Sequence, residues 1–155
     1  LCALEARGAI RRSRGRSRYV ELVDSPSSGA LVDLPLLGAV PAGKPLEALE
    51  VQETIAVPEF LVSGARAYVL RVRGDSMREE QIRDGDYVVV EDRPVPENGE
   101  TVVALLHGEE VTLKKFHRER GKVRLSPANP AFKPMLLPAK DVRIQGVVRG
   151  LFRRY

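Results

Sequence analysis

The sequence predicts a mainly β, antiparallel-rich domain. Short runs of Val, Leu and Tyr recur along most of the chain, and Gly or Pro closes nearly every one. Residues 68–73, 87–90, 101–106, 110–116, 123–126 and 142–152 are the strand segments. Asp84-Gly85, Pro94-Val95-Pro96, Asn98-Gly99, His107-Gly108 and Arg120-Gly121 supply the turns. Glycine accepts the positive φ of a tight turn, and proline withholds an N–H from any ladder. Only residues 77–82 read as a short helical turn, and neither heptads nor internal repeats are present.

Ahead of this body lies a different piece. Residues 1–5 read as the end of a helix with Gly8 as its C-cap, and Ala9-Ile10 begins a strand. A turn at residues 13–17 returns the chain through a second strand at 19–22. The division expected is 1–23 for this unit, 24–34 for a polar, turn-rich linker and 35–155 for the β domain. The chain opens in mid-helix without an initiator Met, so the N-terminal unit is expected to be truncated.

Charge separates the same two pieces. Residues 1–22 hold six arginines against two glutamates, which accounts for the whole net charge of +4. The first unit therefore suits a polyanion, whereas the body is neutral. Hydrophobic residues at 43% and charged residues at 30% fit a soluble globular protein. No apolar run approaches the roughly 18 residues of a membrane span. The sole cysteine, Cys2, excludes an internal disulfide and agrees with a reducing cytosol.

Chemistry concentrates at Gly74-Asp75-Ser76-Met77 and at Lys114 in Glu110-Val111-Thr112-Leu113-Lys114. A serine hydroxyl needs an adjacent base, and a lysine serves only when apolar surroundings disfavour its ammonium form. From the residues alone, Ser76 also reads as a turn residue and Lys114 as a solvated strand lysine. Strand parity adds a difficulty, because Lys115 rather than Lys114 alternates in phase with Val111 and Leu113. His107 and His117 lie in polar, turn-like surroundings and suggest no Asp-His-Ser arrangement. Asp84-Gly85-Asp86 lacks further oxygen ligands downstream and reads as a turn, not a metal loop.

Upstream stands Leu36-Leu37-Gly38-Ala39-Val40-Pro41-Ala42-Gly43-Lys44-Pro45, where small residues allow close backbone approach. Together with Ser76, Lys114 and the Asp84-Gly85-Asp86 turn, this segment resembles the LexA family of self-cleaving repressors. The likeness runs from about residue 36 to 155 and continues more weakly over the first 22.

The resemblance implies a signal-peptidase-like β domain preceded by the C-terminal remnant of a winged helix-turn-helix. It implies that Ser76 attacks a backbone carbonyl, that neutral Lys114 takes its proton, and that the bond cut is Ala42–Gly43. A backbone N–H near the serine, that of Ser76 itself included, would hold the oxyanion. Arg14 and Arg16 would contact DNA phosphates. The implied function is a cytoplasmic transcriptional repressor of DNA-damage (SOS) genes that inactivates itself as a serine peptidase without metal or cofactor. Its implied partners are operator DNA, a second copy bound through residues 142–152, and the RecA filament on single-stranded DNA. A UmuD-like self-processing polymerase subunit and a phage-type repressor are the alternatives that share the dyad.

Overall fold

The computed structural model describes residues 10–12, 20–22, 29–38, 53–62 and 66–155. They fall into two units, one ending at Ala30 and the other running from Leu31 to Tyr155. In the first unit, β1 (Ile10–Arg12) and β2 (Val20–Leu22) pair antiparallel, with Ile10 opposite Leu22 and Arg12 opposite Val20. This is the hairpin expected from the sequence. Arg14 and Arg16, in its turn, lie outside the described residues.

The second unit is built on one nine-stranded sheet. Its strands are β3 (Leu31–Leu37), β4 (Thr54–Pro58), β5 (Ala67–Arg71), β6 (Tyr87–Glu91), β7 (Thr101–Leu106), β8 (Glu110–Glu119), β9 (Lys122–Ser126), β10 (Met135–Pro138) and β11 (Val142–Phe152). In space they run β10-β9-β8-β7-β11-β6-β5-β3-β4. Every neighbouring pair is antiparallel except β3 with β5.

Core packing explains the sequence pattern. Tyr68, Leu70, Val88, Val90 and Val103 form one cluster with Met77 and Ile82, from the segment after the serine. Val102, Ala104, Phe116, Leu125 and Val147 form a second, and Leu34, Val57, Val69 and Val89 a third. Alternate residues of β6 and β7 thus enter different clusters, so both strands read as continuous apolar runs. By contrast, β9 buries Val123 and Leu125 and exposes Lys122 and Arg124, which gives plain alternation.

Three strands escape the sequence pattern. β3 begins at Leu31, so residues 31–34, read as the end of the linker, are strand. Asp33 and Pro35 disguise it. The strand pairs with β4 through Leu31–Pro35 and with β5 only through Leu36 and Leu37, and Pro35 stands where the partner changes. β4 and β10 are the two edges, each short and each ending in proline.

β11 lies at the centre, between β7 and β6, and its pairing shifts register at Ile144/Gly146 and again at Val148/Gly150. At Gly146 a Cβ would stand 2.5 Å from both the Glu91 carbonyl oxygen and Val90 Cγ1. One of these neighbours is backbone and cannot rotate aside. Gly146→Ala should therefore lower unfolding free energy by roughly 1–3 kcal/mol, the usual cost of overpacking. Urea denaturation against the wild-type chain measures this, and an unchanged midpoint would mean that the strand crossing relaxes freely.

Candidate active site

The serine is presented by a turn that backbone and carboxylate contacts hold in place. After β5, the Val72 amide donates to the Asp86 carbonyl at 2.7 Å, and the Gly85 amide donates to the Val72 carbonyl at 2.9 Å. Gly74 then adopts φ +82°, a conformation that strains any L side chain, and its amide donates to Asp84 Oδ1 at 2.7 Å. Ser76 follows, and Met77, at 1% exposure, anchors the turn in the core. A single 3-10 turn, Arg78–Glu80, comes next and ends at Gln81 in the left-handed region. The short helical segment expected at 77–82 is this turn.

Lys114 comes from β8, opposite Val102 of β7, and is only 7% exposed. Its Nζ lies 2.9 Å from Ser76 Oγ, 2.8 Å from Thr112 Oγ1 and 3.0 Å from the Leu113 carbonyl oxygen. The parity difficulty resolves here. Thr112 and Lys114 share a face of β8, and the hydroxyl two residues back meets the amine. Lys115 goes elsewhere, pairing with Glu80 at 2.8 Å.

These three oxygens can accept all three protons of an ammonium. Once the amine is neutral, its two N–H groups can keep the Leu113 carbonyl and Thr112 Oγ1, which leaves the lone pair for the Ser76 hydroxyl. None of the three is a carboxylate. Burial accordingly pushes the Lys114 pKa below the ordinary lysine range, opposed only in part by the charge of Glu110. A cavity of about 230 Å³ opens beside the dyad, lined by Gly38, Leu70, Val72, Ser76, Val111 and Leu113 among others. Neither histidine lines it: His107 is a turn residue at φ +49°, and His117 lies on β8 opposite Arg124.

Three residues outside the dyad hold it together, and sequence reasoning did not single them out. Arg153 grips Asp86 in two directions, Nε to Oδ1 at 2.6 Å and Nη2 to Oδ2 at 2.7 Å. That hydrogen-bonded pairing holds the Asp86 carboxyl below the usual carboxylate range. In the Asp84-Gly85-Asp86 turn the Asp84 carboxylate thus serves the serine-bearing loop through the Gly74 amide, while the Asp86 carboxylate takes Arg153 and the Arg83 amide. Asn129 Nδ2 donates to the Asp75 carbonyl at 2.8 Å, and the Ala128 amide donates to that of Ser76 at 2.8 Å. Thr112 is the third. Its place two residues before the lysine was the available signal. Ala42 and Gly43 lie outside the described residues.

Residues 35–149 match the family described as Peptidase S24-like. The chain is 44% identical to the LexA repressor of Syntrophotalea carbinolica over 156 residues, covering 100% of this chain and 76% of the relative. It is 40% identical to the LexA repressor of Novosphingobium aromaticivorans over 189 residues, covering 100% and 81%. For the LexA repressor of Zymomonas mobilis subsp. mobilis the identity is 43% over 172 residues, covering 99% and 79%.

A lysine whose pKa is lowered by folding binds its proton less tightly in the native state than in the unfolded one. Between its folded pKa and the ordinary lysine value the unfolded chain carries more protons, so stability rises with pH across that window. Wild type should therefore gain on Lys114→Met as pH climbs from the folded pKa toward about 10, near the reference lysine value. Urea midpoints, taken in a Ser76→Ala background to keep both chains intact, give the comparison. A difference that stays flat with pH would mean that the amine titrates as it does in the unfolded chain.

Proposed function

The chain belongs to the LexA repressor family, with an S24-like peptidase domain, and is a self-cleaving SOS repressor in which, we propose, Ser76 and Lys114 cut the Ala42–Gly43 bond. The observation that carries this assignment is the 2.9 Å contact between Lys114 Nζ and Ser76 Oγ, with the buried amine bonded only to uncharged oxygens.

The chemistry follows from that contact. Ser76 Oγ attacks the Ala42 carbonyl carbon while its proton passes to the Lys114 lone pair. The resulting tetrahedral oxyanion needs a donor, for which the amide of Ser76 itself is the candidate. Collapse breaks the C–N bond, Lys114 returns the proton to the Gly43 nitrogen, and an ester joins Ser76 to Ala42. Water, deprotonated by the same amine, then hydrolyses the ester.

Delivery of the bond is a matter of tether length. Gly38 lines the Ser76 cavity at the end of β3, and Ala42 follows four residues later. An extended stretch of that length reaches about 14 Å. The tether is therefore short, which replaces a bimolecular encounter by an intramolecular one.

The repressor role rests on separating the two units. Arg14 and Arg16 contact operator phosphates in this reading, and the β domain supplies the dimer that spans a two-fold operator. β11 pairs with β7 through residues 142–147 and with β6 through residues 147–152, so each half of the strand has a ladder on one edge only. A dimer that uses it can meet through the other edge as well as through side chains such as the exposed Leu151. Cleavage at Ala42–Gly43 divides the DNA-binding unit from the dimerisation domain and removes the avidity of two linked half-sites. A RecA filament on single-stranded DNA would promote it by favouring the docked bond. Action on operator DNA places the protein in the cytoplasm, and among the described residues no helix is long and apolar enough to cross a membrane.

Incubating the chain at about pH 9–10, near the reference lysine value, should yield two fragments whose masses report a cut after Ala42. Below the folded pKa of Lys114 the rate should rise about tenfold per pH unit, as the neutral amine does. Ser76→Ala and Lys114→Ala should each abolish the fragments, whereas His107→Ala and His117→Ala should leave the rate nearly unchanged. Cleavage persisting in either dyad variant removes that residue from the mechanism.

A further inference from the structure

A peptide unit is planar and trans, so its carbonyl and its N–H point to opposite sides. The unit joining Asp75 to Ser76 therefore has one orientational degree of freedom that matters. Fixing the Asp75 oxygen fixes the direction of the Ser76 N–H.

Asn129 does the fixing. Its Nδ2 donates to the Asp75 carbonyl at 2.8 Å, while its Oδ1 accepts from the Ala131 amide at 2.9 Å. The two partners leave the side-chain amide only one orientation, since one offers a lone pair and the other a proton. The segment bearing Asn129 is itself clamped to the serine turn. The Ala128 amide donates to the Ser76 carbonyl at 2.8 Å, and the Glu79 amide donates to the Ala128 carbonyl at 2.7 Å. Ala128 is buried in the same cluster as Met77.

The clamp lies away from the cavity. Gly74, Ser76 and Met77 line the space beside the dyad, and neither Asp75 nor Asn129 does. Among the described residues no hydrogen bond uses the Ser76 amide. That N–H is left free for an acceptor that arrives with the substrate.

We propose that Asn129 is a positioning residue for self-cleavage, holding the Asp75 carbonyl so that the Ser76 N–H is directed at the oxyanion of the attacked Ala42 carbonyl. The inference rests on the reading of Ser76 as nucleophile. It assigns to Asn129 a role in stabilising the transition state, separate from the role of Lys114 in moving the proton. Without Asn129 the peptide is free to rotate. The oxyanion donor would then have to be organised at the moment of reaction, when preorganisation is what makes such donors effective.

The test is the alkaline self-cleavage rate of the whole chain as a function of pH, for wild type, Asn129→Ala and Asn129→Ser. The serine hydroxyl can still accept from the Ala131 amide two residues on, adds no charge and lacks the amide donor to Asp75, so it decides the matter should the alanine variant unfold. The plateau rate should fall about ten- to a hundredfold, less than the roughly hundred- to thousandfold loss that follows outright removal of an oxyanion donor, because the Ser76 N–H is misdirected and not removed. The pH midpoint and the thermal unfolding temperature should stay where they are in wild type. A plateau within about threefold of wild type overturns the proposal. So does a midpoint that moves with the rate, because Asn129 would then act through the lysine or through the fold. Failure of the parent reading looks different: wild type stays uncut, or Ser76→Ala still cuts, and the role of Asn129 falls with it.

Discussion

A lysine amine enclosed by a serine hydroxyl, a threonine hydroxyl and a backbone carbonyl, with no carboxylate against it, is the constraint on which the second unit depends. An ammonium there has lost its hydration and gained only neutral acceptors, and Glu110 offsets that loss only in part. The folded state therefore favours the form that can accept a proton. Desolvation of this kind costs stability, so the surrounding β structure has to supply the difference. It does so with strands buried on both faces, β6 and β7 above all, which place Val88, Val90 and Val103 on one side of the sheet and Val89 and Val102 on the other.

The partner of that amine is held as firmly, by different means. A serine at the tip of a turn has no ladder of its own, and the loop is fixed by groups from distant parts of the chain. Asp84 accepts the Gly74 amide, Asn129 holds the Asp75 carbonyl, and Arg153 pins Asp86 from the end of the sequence. The Arg153–Asp86 contact adds a pH dependence opposite in origin to that of Lys114. Because the folded Asp86 carboxyl titrates below the usual range, its contribution is complete above the unfolded pKa and is lost as pH falls through the folded one. Acid thus weakens the Arg153–Asp86 pairing, while alkali relieves the desolvation of the Lys114 amine.

What the sequence discloses divides along the same line. Strands with regular apolar content and glycine turns are legible, because burial and turn geometry act on neighbouring residues. β3, β4 and β10 are less so. Asp33 and Pro35 break the pattern of β3, and the other two are short edge strands that end in proline. Ser76 and Lys114 became a pair through resemblance; parity alone pointed to Lys115, whose amine turns out to serve Glu80. Asn129 and Arg153 stand 53 and 77 residues beyond Ser76, distances at which no local rule connects a side chain to a turn. Thr112 was within reach of such a rule, since side chains two apart on a strand share a face.

Control of the reaction cannot reside in assembly of the dyad, because its atoms already stand within hydrogen-bond distance in the chain by itself. On the proposed reading two variables remain, the protonation of Lys114 and the delivery of the Ala42–Gly43 bond. The first is set by burial and shifts only with pH or with a partner that changes the local field. The second is set by a tether that leaves the sheet at the rim of the cavity, and its equilibrium can be moved by anything that binds the docked form in preference. A short tether makes the effective concentration of substrate high, so even a modest preference produces a large change in rate. On that reading an activator has no catalytic group to supply, since the Lys114 amine and the Ser76 hydroxyl are already in contact.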